Sequence, residues 1–360
     1  MSVSNAKKRI TYFDIAKAVA ILAVIWGHFL YPVMLQEVYI FHVPLFFMVS
    51  GFFLSKKKGV VRFLADKSKQ LLLPYLYTSI GMLVVLLITL FINETFYEEG
   101  KSIFMRRVFA LLYGSGSPYE CSMFSVEAAG PIWFLLSLFF GFMIVRLAID
   151  FKWGFLLVII CIAAGIVTSE FVWLPLSIQA GMVDAGYIYA GYLLKCASGY
   201  IKERFVSEEN KALTICEYIL EALIMIGCFV SIYFYLINYK GQLILLSSNV
   251  FPNGFVDVGI TFAGAIGVLL FCKLILDHIP GIKHAFLYIG KNTLLILCFH
   301  SIDTIVIKWD FVISLFPDSQ AKALVVVYIL KVLLYVVLVV IWNLLAKLIN
   351  KYINNDKVNI

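Results

Sequence analysis

Four ionisable residues interrupt the first two apolar segments of the chain. Asp14, Lys17 and His28 lie in the first segment, and His42 lies in the second. Eleven residues make almost three helical turns, so Lys17 and His28 share one helix face, about 16 Å apart along the axis. Asp14 precedes Lys17 by one turn and can pair with it. The alternative is a neutralised Asp14–Lys17 pair and a histidine that only packs between helices.

The composition is that of a membrane protein. Apolar residues make up 62% of the chain and charged residues 14%, against about 45–50% and about 25% in soluble domains. The surplus apolar surface must face lipid. The first apolar segment is as long as a span and lacks a cleavage site, so we expect it to be retained. The net charge of +7 comes from basic residues between apolar segments, which excludes nucleic acid as the expected partner.

Ten apolar segments are expected to form helices that cross a bilayer. The resulting fold class is an all-α, polytopic transmembrane bundle. We expect residues 1–350 to form one transmembrane domain and residues 351–360 a polar cytoplasmic tail. The predicted spans are residues 10–31, 39–54, 71–92, 131–149, 153–168, 171–194, 216–237, 257–276, 285–306 and 323–346.

The distribution of basic residues predicts the orientation of these spans. If the amino terminus is cytoplasmic, most of the 29 Lys and Arg residues fall on the inner side, as the positive-inside rule requires. Both termini are then cytoplasmic. The one long outer loop, residues 93–130, is predicted to contain a short interfacial helix over residues 104–112, ended by a Gly- and Ser-rich turn.

This orientation brings a third histidine into consideration. His300 falls near the outer end of the ninth span, in the same layer as His28 and His42. Asp303 follows His300 by one turn and is placed to orient it. A histidine held by a carboxylate is a plausible general base near neutral pH. A metal site is not expected, because no HxH or HExxH spacing occurs.

The motifs of this chain, taken in order, resemble those of the acyltransferase 3 family of membrane O-acetyltransferases, which modify lipopolysaccharide, capsule and other glycans. The family's first helix carries a basic residue, usually Arg, then ten residues, then His. Here the basic residue is Lys17, which keeps the charge but loses the planar guanidinium. The similar stretches are residues 12–17, 27–28, 41–52, 71–75, 131–135, 191–194 and 289–300.

The resemblance implies a ten-helix core, acetyl-CoA as a donor substrate on the cytoplasmic side, and a glycan acceptor on the outer side. No bound cofactor and no metal are implied. His28 matches the catalytic histidine, and Lys17 with Asp14 is assigned to donor binding. The residues assigned to the acceptor site or the active-site lining are His42, Trp133, Asn292, His300 and Asp303.

The leading hypothesis is an O-acyltransferase, most simply an O-acetyltransferase, in the bacterial cell membrane. It would transfer an acyl group from acetyl-CoA to a hydroxyl of a surface polysaccharide or lipid-linked glycan. One alternative is a non-catalytic polysaccharide exporter of the same family. Another is a succinyl- or N-acyltransferase of the same architecture, which differs only in its donor or acceptor.

Overall fold

The computed structural model describes residues 9–28, 34–56, 59–92, 99–205, 211–306 and 309–356. Lys7 and Lys8, two of the basic residues on the predicted inner side, lie outside this range, as do residues 357–360 of the predicted tail. The chain is divided into two compact units. Unit 1 comprises residues 1–72 and 134–291, and unit 2 comprises residues 73–133 and 292–360.

Almost all of the regular structure is helical. The strands β1 (Tyr119–Glu120) and β2 (Ser125–Val126) form one small antiparallel hairpin in which Tyr119 pairs with Val126. A π-helical turn over Ser68–Leu72 joins α3 to α4. The helices are α1 (Thr11–Gly27), α2 (Leu35–Phe52), α3 (Val60–Lys67), α4 (Leu73–Ile92), α5 (Lys101–Tyr113), α6 (Trp133–Ala148), α7 (Gly154–Ser169), α8 (Ile178–Phe205), α9 (Lys211–Asn238), α10 (Phe255–Leu274), α11 (Pro280–Lys291), α12 (Thr293–Val306), α13 (Asp310–Ser314) and α14 (Gln320–Asp356).

Each of the ten predicted apolar segments contains helix, but the ninth is not one continuous helix. Residues 285–306 were expected to form a single helical span, whereas the helix is interrupted at Asn292, between α11 and α12. This break is also the boundary between the two units. Sequence hydropathy overlooks it because apolar residues continue on both sides.

Several helices are long and apolar enough to cross a membrane. Within the described residues there are five, or six if the bent pair α11 and α12 is counted as one. The helices α6 and α7 are apolar but shorter. The count of ten spans and the cytoplasmic termini therefore stay predictions. The five segments are Leu35–Phe52, Val60–Ile92, Ala212–Asn238, Phe255–His278 and Gln320–Lys351.

The core of unit 1 forms where α1, α2 and α10 meet. Phe13, Met48 and Ala265 are among its fully buried members. Glycine allows α2 and α8 to touch: a Cβ on Gly51 would lie 1.9 Å from the Ile188 carbonyl oxygen, and one on Gly191 would be equally close to the α2 backbone. Gly51 and Gly191 of the motif stretches are thus needed for close helix packing, since a larger residue would clash with the facing backbone.

In unit 2, α12 packs against α4 and α14, and α4 packs against α5. The predicted helix over residues 104–112 lies within α5, and Gly114 ends α5 in a left-handed conformation with φ of 68°. Arg106 and Arg107 extend from α5 to Glu127, at 3.2 Å and 3.5 Å. The helix and its glycine stop are thus confirmed, and its interfacial position stays a prediction.

Candidate functional site

A charged cluster lies at the amino-terminal end of α1, around the carboxylate of Asp14. Lys17 Nζ is 2.8 Å from Asp14 Oδ1, and Arg9 Nε bonds to Oδ2. The Asp14 side chain is 5% exposed, whereas those of Lys17 and Arg9 are 26% and 58% exposed. One buried carboxylate therefore holds two cations that still reach the surface, and the cluster has a net positive charge.

The Asp14–Lys17 contact has the spacing expected from the sequence, but Arg9 was missed. Arg9 lies just before the first predicted span and counted only among the basic residues that predict the orientation. It precedes the helix and is five residues from Asp14, a spacing that does not mark a shared helix face. Its presence places a guanidinium beside Lys17, the position at which the resemblance led us to expect an arginine.

A glycine of α11 lies against the backbone of the same cluster. A Cβ added to Gly290 would lie 1.8 Å from the carbonyl oxygen of Asp14. No side chain fits in that distance, so α11 can approach α1 here only with glycine. The glycine of the 289–300 motif thereby fixes the helix that borders the charged cluster.

His28 lies at the opposite end of α1. It is the residue after the helix, its φ and ψ are still helical, and its N–H bonds to the Val24 carbonyl at 3.3 Å. The register from Lys17 therefore continues to His28, whose side chain is exposed. Gly27 lets the start of α2 approach, because a Cβ there would lie 3.1 Å from the ring of Tyr39.

His42 is the buried neighbour of His28. Its Nδ1 lies 2.6 Å from the carbonyl oxygen of Val38, one turn earlier in α2. A carbonyl oxygen only accepts, so Nδ1 carries the proton and Nε2 has the lone pair in the neutral ring. The Tyr39 ring contacts the imidazole edge-on at 5.0 Å. Because Tyr39 also borders Gly27, the residue before His28, unit 1 places these two predicted site residues in one region.

His300 and Asp303 belong to a buried polar cluster in unit 2. The sequence predicted that Asp303 would orient His300, but Tyr335 of α14 lies between them. His300 Nδ1 is 3.1 Å from Tyr335 Oη, which donates to Asp303 Oδ2 at 2.5 Å. Asp303 also accepts from Trp309 Nε1 at 3.2 Å and pairs with Lys331 at 2.7 Å. The grouping of His300 with His28 and His42 stays a prediction.

Trp133 and Asn292, the remaining predicted lining residues, are both in unit 2. Trp133 is buried at the start of α6, and its N–H bonds to the Gly130 carbonyl at 3.2 Å. Asn292 lies at the break before α12 and accepts a hydrogen bond from Asn343 of α14 at 3.3 Å. Their assigned roles stay predictions.

Other charged residues in or beside the spans, which the sequence did not pair, have partners. Ser137 donates to Asp184 at 2.5 Å, joining α6 to α8. Lys273 of α10 bonds to Glu221 and lies 3.8 Å from Glu217, both on α9. These contacts cross-link helices of unit 1. Within the described ranges, no three His, Cys, Asp or Glu side chains are arranged to hold a metal ion.

The sequence comparison identifies the family to which this arrangement belongs. A family model described as an acyltransferase domain, acyltransferase 3, matches residues 10–348. The chain belongs to the acyltransferase 3 family. With its long apolar helices, it is therefore a membrane acyltransferase that transfers groups other than aminoacyl groups.

Two relatives carry the name nodulation protein NolL. The protein from Sinorhizobium fredii is 26% identical over 164 residues, which are 41% of this chain and 39% of the relative. The protein from Mesorhizobium japonicum is 26% identical over 234 residues, which are 61% of this chain and 54% of the relative. The matches thus span about half or less of each relative. No solved structure matches the chain.

Proposed function

We propose that the chain is an O-acyltransferase, most simply an O-acetyltransferase, that uses acetyl-CoA from the cytoplasm. The acceptor is a hydroxyl of a surface polysaccharide or a lipid-linked glycan. We assign the enzyme to the bacterial cell membrane as a multi-pass protein with both termini inside. Family membership supports acyl transfer, and the donor, acceptor and orientation are parts of the proposal.

The observation that carries this proposal is the division of α1 between two kinds of chemistry. A positively charged cluster occupies its amino-terminal end, and His28 follows its carboxyl-terminal end. The intervening helix is about 16 Å long, from eleven residues at 1.5 Å each. That separation suits a donor whose anionic part stays at one end while its acyl group reaches the other.

On the donor side, Lys17 and Arg9 supply the positive charge for the phosphates of CoA. Asp14 holds both cations at a fixed distance from the helix. Arg9 uses Nε to bond with Asp14, which leaves its two terminal nitrogens for the bidentate contact that an ammonium cannot make. The pair thus combines a point charge with a guanidinium.

On the acceptor side, His28 acts as the general base. It takes the hydroxyl proton as the acceptor oxygen attacks the thioester carbonyl. The tetrahedral intermediate collapses with cleavage of the carbon–sulfur bond, and the thiolate of CoA receives the proton from His28. His42 is held in place by its hydrogen bond to the Val38 carbonyl, and it serves as a fixed polar side chain near His28.

A coupled assay tests this proposal. Purified protein in lipid nanodiscs is given acetyl-CoA and a candidate glycan, and both free CoA and acetylated glycan are measured. His28→Ala should lower the rate by about 10²–10⁴-fold, the usual contribution of a positioned acid–base group. The control is His284→Ala, because His284 is exposed and bonds to the carbonyl of Pro280 in its own helix.

The possible outcomes separate the alternatives. Equal loss in both variants, or none in His28→Ala, would contradict the assignment of His28. Turnover with succinyl-CoA but not acetyl-CoA, or on an amine acceptor alone, would favour the succinyl- or N-acyltransferase. Glycan transport into vesicles without CoA release would support the exporter.

A further inference from the structure

The buried cluster of unit 2 forms a continuous chain of hydrogen bonds that ends at an ion pair. It runs from His300 through Tyr335 to Asp303 and then to Lys331, with Trp309 beside it. His300 and Tyr335 are each 1% exposed, and the side chain of Lys331 is 12% exposed. These groups belong to α12, α14 and the turn before α13, so this series of hydrogen bonds exists only in the folded protein.

The donors and acceptors in this series of contacts follow from Asp303. Its two oxygens receive the ammonium of Lys331, the indole N–H of Trp309 and the hydroxyl of Tyr335. A carboxylate beside an ammonium is ionised and can only accept. Tyr335 must therefore use its single proton to donate to Asp303.

The direction of the Tyr335 hydrogen bond determines which nitrogen of His300 carries the proton. Once the hydroxyl proton points to Asp303, the tyrosine oxygen can only accept from its other neighbour. His300 Nδ1, at 3.1 Å, must then be the donor. Asp303 already balances Lys331, so protonating the second nitrogen as well would set two buried positive charges against one carboxylate. The favoured ring is neutral, with its proton on Nδ1 and its lone pair on Nε2.

We propose that Tyr335 is a positioning residue that holds His300 in the Nδ1–H tautomer, so that the lone pair stays on Nε2 as a hydrogen-bond acceptor for the substrate. The tautomer follows from the cluster alone. Its catalytic use rests on the acyl transfer proposed above. Lys331 and Trp309 act one step further away, by keeping Asp303 ionised and fixed.

The first test observes the tautomer directly. Protein labelled with ¹⁵N-histidine is studied by solid-state NMR in lipid bilayers near neutral pH, and the signal of His300 is identified by its loss in His300→Asn. Nδ1 should be protonated and Nε2 unprotonated. Tyr335→Phe should release the ring to a mixture of tautomers. A wild-type ring protonated only at Nε2 would overturn the proposal.

The second test measures acyl transfer. Tyr335→Phe removes one oxygen, and we expect the rate to fall by about 10- to 100-fold, part of the effect of a positioned acid–base group, with a shifted pH profile and an unchanged KM for acetyl-CoA. Tyr187→Phe is the matched control. Tyr187 is also 1% exposed, and its hydroxyl bonds to Thr261 at 2.7 Å.

The two tests separate the inference from the function on which its catalytic use depends. Equal effects of Tyr335→Phe and Tyr187→Phe on rate and pH profile would reduce Tyr335 to a packing residue and overturn the proposal. A wild-type protein that transfers no acyl group would contradict the proposed function. The NMR measurement would still decide the tautomer, since it needs neither turnover nor a variant of Tyr335.

Discussion

His42 in unit 1 and His300 in unit 2 are both buried and both bonded through Nδ1, but to different kinds of acceptor. His42 uses the carbonyl of Val38, four residues earlier in the same helix. His300 uses the hydroxyl of Tyr335, 35 residues later and on another helix. One histidine is held by the geometry of its own helix. The other is held by the packing of two helices against each other.

The buried carboxylates Asp14 of unit 1 and Asp303 of unit 2 differ in the same way. Asp14 pairs with two cations that are close to it in sequence: Arg9 precedes it and Lys17 follows it. Asp303 pairs with Lys331, which is 28 residues away on α14. The Asp14–Lys17 pair forms whenever the helix forms. The pair in unit 2 depends on tertiary structure, so it should be the more sensitive to single substitutions.

The largest effect is therefore expected from Lys331→Met. This change leaves the carboxylate of Asp303 buried without the ammonium, and breaking a buried ion pair from one side costs about 3–5 kcal/mol. We expect a clear fall in the thermal unfolding midpoint in nanodiscs. Lys17→Met should cost much less, because Arg9 remains on Asp14.

The double variant Asp303→Asn with Lys331→Met is the control for that result. It removes both charges and should recover part of the lost stability. A midpoint for Lys331→Met no lower than that for Lys17→Met would show that the two carboxylates are equally robust, and the contrast between the units would fail.

The same contrast explains which features could be predicted from the sequence. Apolar segments locate the helices because membrane helices satisfy their backbone within the segment. The Asp14–Lys17 pair follows from helical spacing. Tyr335 and Lys331 could not be assigned to Asp303, since no periodicity relates residues on separate helices. Arg9 was missed because it precedes the helix, and the break at Asn292 was missed because apolar residues continue on both sides of it.

An intermediate effect is expected at the donor end of unit 1. Lys17→Gln removes one charged contact to the phosphates of CoA, worth about 1.5–3 kcal/mol, so the KM for acetyl-CoA should rise by about 10- to 100-fold. The kcat should change little, because the contact is distant from His28. Lys17→Arg should keep the low KM, because it keeps the positive charge.

The control for the donor end is Lys152→Gln, which removes an exposed lysine from the same predicted inner side. Lys152 lies over the Trp153 ring, with Nζ 5.6 Å from its centre, and has no part in the cluster. A rise in KM as large in this variant as in Lys17→Gln would indicate a general loss of positive charge, and not a local contact to the donor.

The smallest effect is expected at Val38, and it is the sharpest test of how His42 is held. Val38→Ala removes two methyl groups but leaves the backbone carbonyl to which Nδ1 donates. The tautomer of His42, measured by the same ¹⁵N experiment, should therefore stay Nδ1–H, although the buried side chain loses about 1 kcal/mol or more of packing. Tyr335→Phe, by contrast, removes the acceptor itself and should change His300. If Val38→Ala alters the His42 tautomer as much as Tyr335→Phe alters that of His300, side-chain packing controls both rings, and the backbone bond does not distinguish them.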